Sequence, residues 1–191
     1  MLPRTTARAL TSLLACAALP LAVAACSGSS GSGSADAAGA KNPLIGGKAP
    51  DFTADAVGGE GPKSLKDAAG KVVILDFWGT FCEPCKKSFP KYQEIVDQYP
   101  GDVSVLAVAV DDPDSTKKEQ LTAFAAENHA KFAIVWDKDH KVSEKYGLRN
   151  LTMPSSFIID KNGVVRHLHV GFKDGEEAKI ADEVKALVAA K

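Results

Sequence analysis

Apolar and polar positions along this chain follow two periods, one of two residues and one near 3.6. Residues 72–78, Val-Val-Ile-Leu-Asp-Phe-Trp, form an apolar run rich in β-branched residues and broken by a single carboxylate. The run predicts a buried strand. Residues 103–110 form a second run without alternation, which predicts a strand covered on both faces. Between them Phe89, Tyr92, Ile95, Val96 and Tyr99 recur at helical spacing, with Pro90 inside the pattern and Gly101 closing it. A proline there is expected to kink the helix. Asp111 opens a loop and plausible cap, and a helix follows to about residue 128. Residues 132–136 predict a strand, and Val142, Tyr146 and Leu148 a short helix ending at Gly147. Residues 156–159 and 164–170 predict two strands joined by Asp160-Lys161-Asn162-Gly163, a hairpin signal. Ile180, Val184, Leu187 and Val188 share one face of a final helix over residues 175–190. Ahead of the central run, residues 49–53 and 63–65 predict two short strands around a Gly-rich turn, an N-terminal β-hairpin. Strands alternating with helices, then a hairpin and a terminal helix, predict an α/β fold with a central mixed β-sheet flanked by helices.

The first 25 residues carry Arg4 and Arg8 ahead of an Ala/Leu-rich stretch and end in Val23-Ala24-Ala25, followed by Cys26. Those flanks and that length fit a secretory signal rather than a transmembrane helix. Small residues before a cysteine resemble the lipobox of bacterial lipoproteins. That resemblance implies cleavage before Cys26 and lipidation of its thiol. An ordinary signal peptide cut nearby would leave a free cysteine instead. A diacylglycerol thioether plus N-acylation would supply enough buried chains for stable anchoring. Residues 27–40 are Ser/Gly/Ala-rich and nearly uncharged, the composition of a flexible tether. The expected division is a lipoprotein signal peptide at 1–25, a tether at 26–42 and one folded domain at 43–191. The domain is expected in the cell envelope, facing the periplasm or the outer face of the membrane.

The chain has 191 residues, 45% hydrophobic and 25% charged, which suits a soluble globular domain. A net charge of −1 supplies no basic field, so nucleic acid is not an expected partner. A monomer is the expected state.

The four cysteines are Cys16, Cys26, Cys82 and Cys85. With Cys16 in the signal segment, one pair is left for the domain, and structural disulfides do not hold the fold. Cys82-Glu83-Pro84-Cys85, where a strand hands over to a helix, marks a thiol–disulfide redox site. A zinc half-site would need a second Cys or His pair at ligand spacing, and the sequence has neither. Neither a metal nor a cofactor beyond the redox-active disulfide is expected. Cys82, at the helix N-terminus, is the expected nucleophile, because unpaired N–H groups and the macrodipole stabilise a thiolate there. Cys85, one turn on, is the expected resolving thiol. Pro84 restricts the turn between them. Glu83 opposes a thiolate at Cys82 but suits the helix N-terminus, unless it is simply a solvated first-turn carboxylate. Asp76, flanked by Leu75 and Phe77, is costly to bury in its charged form. It is either a proton acceptor for Cys85 or a hydrogen-bonded structural carboxylate. Trp78 either borders the site or fills the core. Lys86 and Lys87 read as surface charges. The four histidines show no ligand pattern; His167 and His169 read as exposed strand residues sharing one face.

Phe77-Trp78-Gly79-Thr80-Phe81-Cys82-Glu83-Pro84-Cys85-Lys86-Lys87, with Pro90 five residues after the second cysteine, resembles the thioredoxin superfamily. The Cys-Glu-Pro-Cys version and its flanks resemble the TlpA/ResA branch of membrane-anchored, extracytoplasmic members, which carry a redoxin (AhpC/TSA-like) domain. Ala49-Pro50-Asp51-Phe52 is similar to that branch's N-terminal hairpin, and residues 111–130 occupy the place of its helical insert. Met153-Pro154-Ser155-Ser156-Phe157-Ile158-Ile159-Asp160 resembles its cis-proline loop and following strand. The resemblance implies a thioredoxin-like fold and a thiol–disulfide oxidoreductase that reduces disulfides of envelope proteins. It further implies apocytochrome c as one such substrate, in cytochrome c maturation, and a membrane thiol transporter as electron donor. It places Met153 and Pro154 at a substrate groove facing the cysteines, where an extended peptide would pair like an added strand. Asp76 matches the thioredoxins, whereas many members of the TlpA branch carry Asn there. Met153 departs from the commoner Thr, Val or Ala.

Two rival readings remain. A peroxiredoxin-like peroxidase, suggested by Ala49-Pro50-Asp51-Phe52, would need Pro and Thr ahead of its cysteine, where Leu75 and Gly79 stand. A copper-delivery protein of the Sco type would need three residues between the cysteines and a later histidine ligand; here two residues separate them.

Overall fold

The computed structural model describes residues 42–148 and 152–190. The signal segment, Cys26 and all of the tether before residue 42 lie outside the described residues. Among the described residues six strands and four helices follow in the order β1 (Asp55–Gly58), β2 (Val72–Trp78), α1 (Glu83–Gln98), β3 (Val103–Ala109), α2 (Lys118–Glu127), β4 (Ala133–Trp136), α3 (Lys141–Lys145), β5 (Ser155–Ile159), β6 (Val165–Val170) and α4 (Glu176–Ala189). They form one mixed sheet in the order β1-β4-β3-β2-β5-β6. β2 pairs in parallel with β3 and antiparallel with β5, and β3 pairs in parallel with β4. This is the thioredoxin-like fold.

The apolar runs explain the centre. Every residue of β2 and of β3 is buried, because each strand has a neighbour on both edges and cover on both faces. Alternate residues of β2 enter two separate cores. Val72, Ile74 and Trp78 pack with Phe89, Tyr92 and Ile95 of α1, Leu121 and Phe124 of α2, and Ile180 and Val184 of α4. Val73, Leu75 and Phe77 pack with Phe52, Phe157, Val142 of α3 and Tyr146 at its C-terminal cap. α1 runs unbroken from Glu83 to Gln98 through Pro90. Pro90, half-buried, donates no amide hydrogen to the turn before it.

The N-terminal hairpin is a correction. Residues 49–53 and 63–65 do not pair with each other. The strand that forms is β1, and it pairs antiparallel with β4, far along the chain. Lys48 instead bridges to Val164, and Glu60 to Phe132. Gly59 makes the second contact possible. Its φ is +76°, and a Cβ there would lie 1.8 Å from the Phe132 carbonyl oxygen. The Gly-rich stretch does not return the chain on itself: Gly58 faces Ile134 and Glu60 bridges to Phe132, and burial of Val57 in the main core holds β1 there.

The reading of His169 as exposed is also corrected. His169 is 3% exposed, with Nδ1 2.5 Å from Glu176 and Nε2 2.6 Å from Glu183. His167, half-buried, lies 3.3 Å from the other Glu183 oxygen. Burial pushes the His169 imidazole down, but the two carboxylates together outweigh it and hold the group above its ordinary value. The clamp ties α4 to β6.

An aromatic layer seats α1 on the sheet. Phe89 contacts Trp78, Phe124 and Phe132 at ring-centroid distances of 4.8, 5.5 and 5.2 Å. Phe89→Ala would remove a fully buried ring from beneath the helix that carries the cysteines. We expect a loss of about 3–5 kcal/mol in denaturant unfolding. A loss under about 1 kcal/mol would show that α1 is held elsewhere.

Candidate active site

β2 ends at Trp78, Gly79 to Phe81 turn, Cys82 follows, and α1 begins at Glu83, so the two cysteines fall where strand becomes helix. Cys82 is the N-cap residue. Its φ of −89° and ψ of 99° are extended, and its sulfur accepts a hydrogen bond from the Cys85 amide at 3.2 Å. Cys82 and Cys85 form a disulfide with Cα atoms 5.3 Å apart. Cys82 keeps 4% of its surface exposed and Cys85 none. Access by a second sulfur is therefore through Cys82. Once reduced, a Cys82 thiolate would sit against the N-terminal amides of a sixteen-residue helix.

Pro84 occupies the first turn of that helix, where its missing N–H leaves no intrahelical bond unmade. Glu83 points to solvent, its side chain 80% exposed, and pairs with Lys86 at 2.7 Å. That pairing and the surrounding water weaken its influence on Cys82. Lys87 lies 3.7 Å from Asp174, both exposed.

Trp78 belongs to the core rather than to the rim. It is fully buried, packed between Phe89 and Phe124 in the same cluster that holds both cysteines. Its indole N–H has no hydrogen-bond partner among the described residues. Exposure at the site comes from a residue the sequence reading passed over, Phe81, which is 68% exposed immediately before Cys82. An aromatic at the tip of a turn beside a reactive cysteine was the available signal.

The Met153–Pro154 peptide bond is cis. The Pro154 carbonyl accepts from the Gly171 amide at 2.7 Å, which fixes the start of β5 against the end of β6. Met153 is half-buried and packs against the cluster containing Cys82 and Cys85.

Asp76 lies on β2, fully buried, on the sheet face that α1 covers. Its Oδ1 accepts from the Ser156 hydroxyl at 2.6 Å, and its Oδ2 has no partner among the described residues. Burial pushes this carboxyl up to about 8, against the smaller opposing effect of the Ser156 hydrogen bond.

A second buried carboxylate, Asp111, escaped the sequence reading except as a cap. It is 1% exposed and takes the Thr80 amide at 3.0 and 3.1 Å, together with the Thr80 hydroxyl. Its carbonyl accepts from the Trp136 indole at 2.8 Å. Asp111 therefore grips the turn leading into Cys82 from the end of β3. A carboxylate directly after a buried strand is the sequence sign of such a grip.

Residues 45–168 match the model of the AhpC/TSA family. The chain belongs to the AhpC/TSA family. It is a thiol–disulfide oxidoreductase. The thioredoxin-like protein YneN of Bacillus subtilis is 35% identical over 65% of this chain and 70% of its own length. The thiol-disulfide oxidoreductase ResA of Geobacillus thermodenitrificans is 37% identical over 71% of this chain and 74% of its own. A Chlorobium tepidum crystal structure, described as a candidate thiol:disulfide interchange protein DsbE, superposes with a TM-score of 0.65. It is 35% identical and covers 76% of this chain and 98% of its own.

Within this AhpC/TSA domain, Asp76 has a folded pKa above its unfolded value. Between about pH 4 and pH 8 the folded chain holds a proton that the unfolded chain has released, so stability falls as pH rises through that window. Asp76→Asn removes the penalty. The oxidised variant is expected to gain on the order of 4 kcal/mol at pH 7 in denaturant unfolding, with the gain vanishing near pH 4. Parallel pH profiles for the two proteins would refute the assignment.

Proposed function

We propose that this oxidoreductase is a lipid-anchored reductase of the cell envelope that draws electrons from a membrane thiol transporter and passes them to disulfides of envelope proteins. Apocytochrome c is one substrate of the right chemistry. The observation that carries the reading is a nearly covered Cys82–Cys85 disulfide at a helix N-terminus with a buried carboxyl, Asp76, on the strand that feeds it. The redox-active disulfide needs no further cofactor, and the domain acts as a monomer. The anchor rests on Val23-Ala24-Ala25-Cys26, and reach from the membrane on the Ser/Gly/Ala composition of residues 27–40.

The proposed chemistry balances in two steps. The Cys82 thiolate attacks one sulfur of a substrate disulfide. The substrate S–S bond breaks, a Cys82–substrate disulfide forms, and the departing thiolate takes a proton from water. Cys85 then gives its thiol proton to Asp76, directly or through one water, and attacks the Cys82 sulfur. The Cys82–substrate bond breaks, the Cys82–Cys85 disulfide forms, and the second substrate sulfur leaves as a thiolate that takes a proton from water. Two electrons have moved to the substrate. A carboxyl near 8 titrates close to working pH, which suits it to this transfer. Phe81 and Met153 give the substrate peptide apolar surface beside the exposed edge of Cys82.

Cys82→Ser is expected to abolish reduction of an insulin or model-protein disulfide. Cys85→Ser is expected to accumulate the Cys82–substrate mixed disulfide, seen as a thiol-sensitive adduct by mass spectrometry. Equilibration of the domain against a thiol buffer should give a potential around −250 mV or lower; a value nearer −120 mV would mark an oxidant and sink the reductase reading. For the anchor, Cys26→Ala should move the full-length protein from the membrane fraction to the soluble one. Retention of the variant in the membrane fraction would reject lipidation at Cys26.

A further inference from the structure

Asp76 is the first of a row of buried polar groups that crosses three strands. In the sheet register Asp76 pairs with Ser156, and Ser156 pairs with His169. The Ser156 hydroxyl is 2.6 Å from Asp76 Oδ1 and 2.7 Å from the Tyr92 hydroxyl. Asp76, Ser156 and Tyr92 have no exposed surface. None of the three can therefore exchange its partner for bulk water.

A count of hydrogens sets the direction of this chain. An ionised Asp76 accepts only, so Ser156 spends its single hydroxyl hydrogen on Oδ1. Ser156 Oγ must then accept from Tyr92, whose phenol is held well above its ordinary pKa by burial and by the Asp76 charge and keeps its proton. The polarity runs Tyr92 to Ser156 to Asp76. It fills Oδ1 and leaves Oδ2 as the carboxylate oxygen with no donor among the described residues.

We propose that Ser156, oriented by Tyr92, is a positioning residue that reserves Asp76 Oδ2 as the oxygen receiving the Cys85 proton in the resolving step. The inference rests on the reading of Asp76 as that acceptor. In the step the Cys85 S–H bond breaks, the proton forms an O–H bond at Oδ2, and the Cys85 electron pair forms the bond to Cys82. The Cys82–substrate bond breaks, and its electrons leave with the substrate thiolate. Ser156 keeps its hydrogen throughout. Tyr92 is the titratable group that α1 turns toward this chain, β5 contributes Ser156 alone, and β3 pairs Ala107 opposite Asp76. From β6 and α4 come His169, Glu176 and Glu183, which satisfy one another.

The test is stopped-flow reaction of the reduced protein with Ellman's reagent (5,5′-dithiobis(2-nitrobenzoate)), followed against pH. The first released thionitrobenzoate reports attack by Cys82, the second reports resolution by Cys85. Loss of a hydrogen bond to the ionised carboxyl raises its proton affinity, so Ser156→Ala should move the acid limb of the second phase up by about one pH unit. Tyr92→Phe should move it the same way by less, and Ser156→Thr, which keeps the hydroxyl, should restore it. The first phase should keep its profile in all three. Asp76→Asn should remove the limb, and Ser156→Ala added to it should shift nothing further. If Asp76→Asn leaves the limb in place, the reading of Asp76 falls. If Asp76→Asn removes it while Ser156→Ala and Tyr92→Phe leave it at the wild-type pH, the positioning inference falls alone. Should Ser156→Ala fail to fold, Tyr92→Phe decides by the same criterion.

Discussion

Burying Asp76 within β2 takes a carboxyl out of water at a cost that one serine hydroxyl does not offset, and much of the molecule is arranged around that burial. The strand is central, so the group cannot reach solvent along the sheet. The aromatic layer and α1 cover it from above, so it cannot reach solvent across the face. A carboxyl kept in such a place holds its proton to a much higher pH than an exposed one. Stability given up for a proton-accepting group is a common exchange at catalytic sites.

The cysteines need the opposite treatment. They must lie at an end of a helix, nearly covered but reachable, and their approach must be held without being sealed. Three features meet that need. The Phe89 ring fixes the helix body, Asp111 fixes the turn before Cys82, and Met153 packs against the cluster that includes both cysteines. Phe81 remains outside, an exposed apolar ring immediately before the Cys82 sulfur. A rigid base beneath one open edge is what separates a reactive disulfide from a structural one.

Much of this could be read from the chain. Runs such as 72–78 and 103–110 lack alternation because both faces are covered, so sequence and burial agree residue by residue. The Cys-x-x-Cys at a strand-to-helix junction declares its chemistry through local geometry alone. What could not be read depends on register. Ser156 looks like one more small residue in an apolar strand until β5 is laid beside β2 and its hydroxyl meets Asp76. His169 looks like an exposed residue until α4 returns two glutamates to it. The hairpin expected at residues 49–65 failed for the same reason, since β1 found its partner in β4, some eighty residues on. Trp78 was open between rim and core, and the packing of Phe89 and Phe124 around it decided for the core.

The grip of Asp111 on Thr80 has a consequence for how such a domain can vary. Asp111, two residues past β3, is the last fixed point before the chain departs into the segment carrying α2, and its own carbonyl is tied to Trp136 on β4. The departing segment thus leaves from an anchorage already closed on both sides. The loop between Asp111 and α2 can lengthen or shorten with its entropy absorbed locally, while Leu121 and Phe124 of α2 stay tied to the core around Trp78 and Phe89. The reactive turn is insulated from such changes, so a lineage can remodel the surface beside the sulfurs and leave the sulfurs where they are.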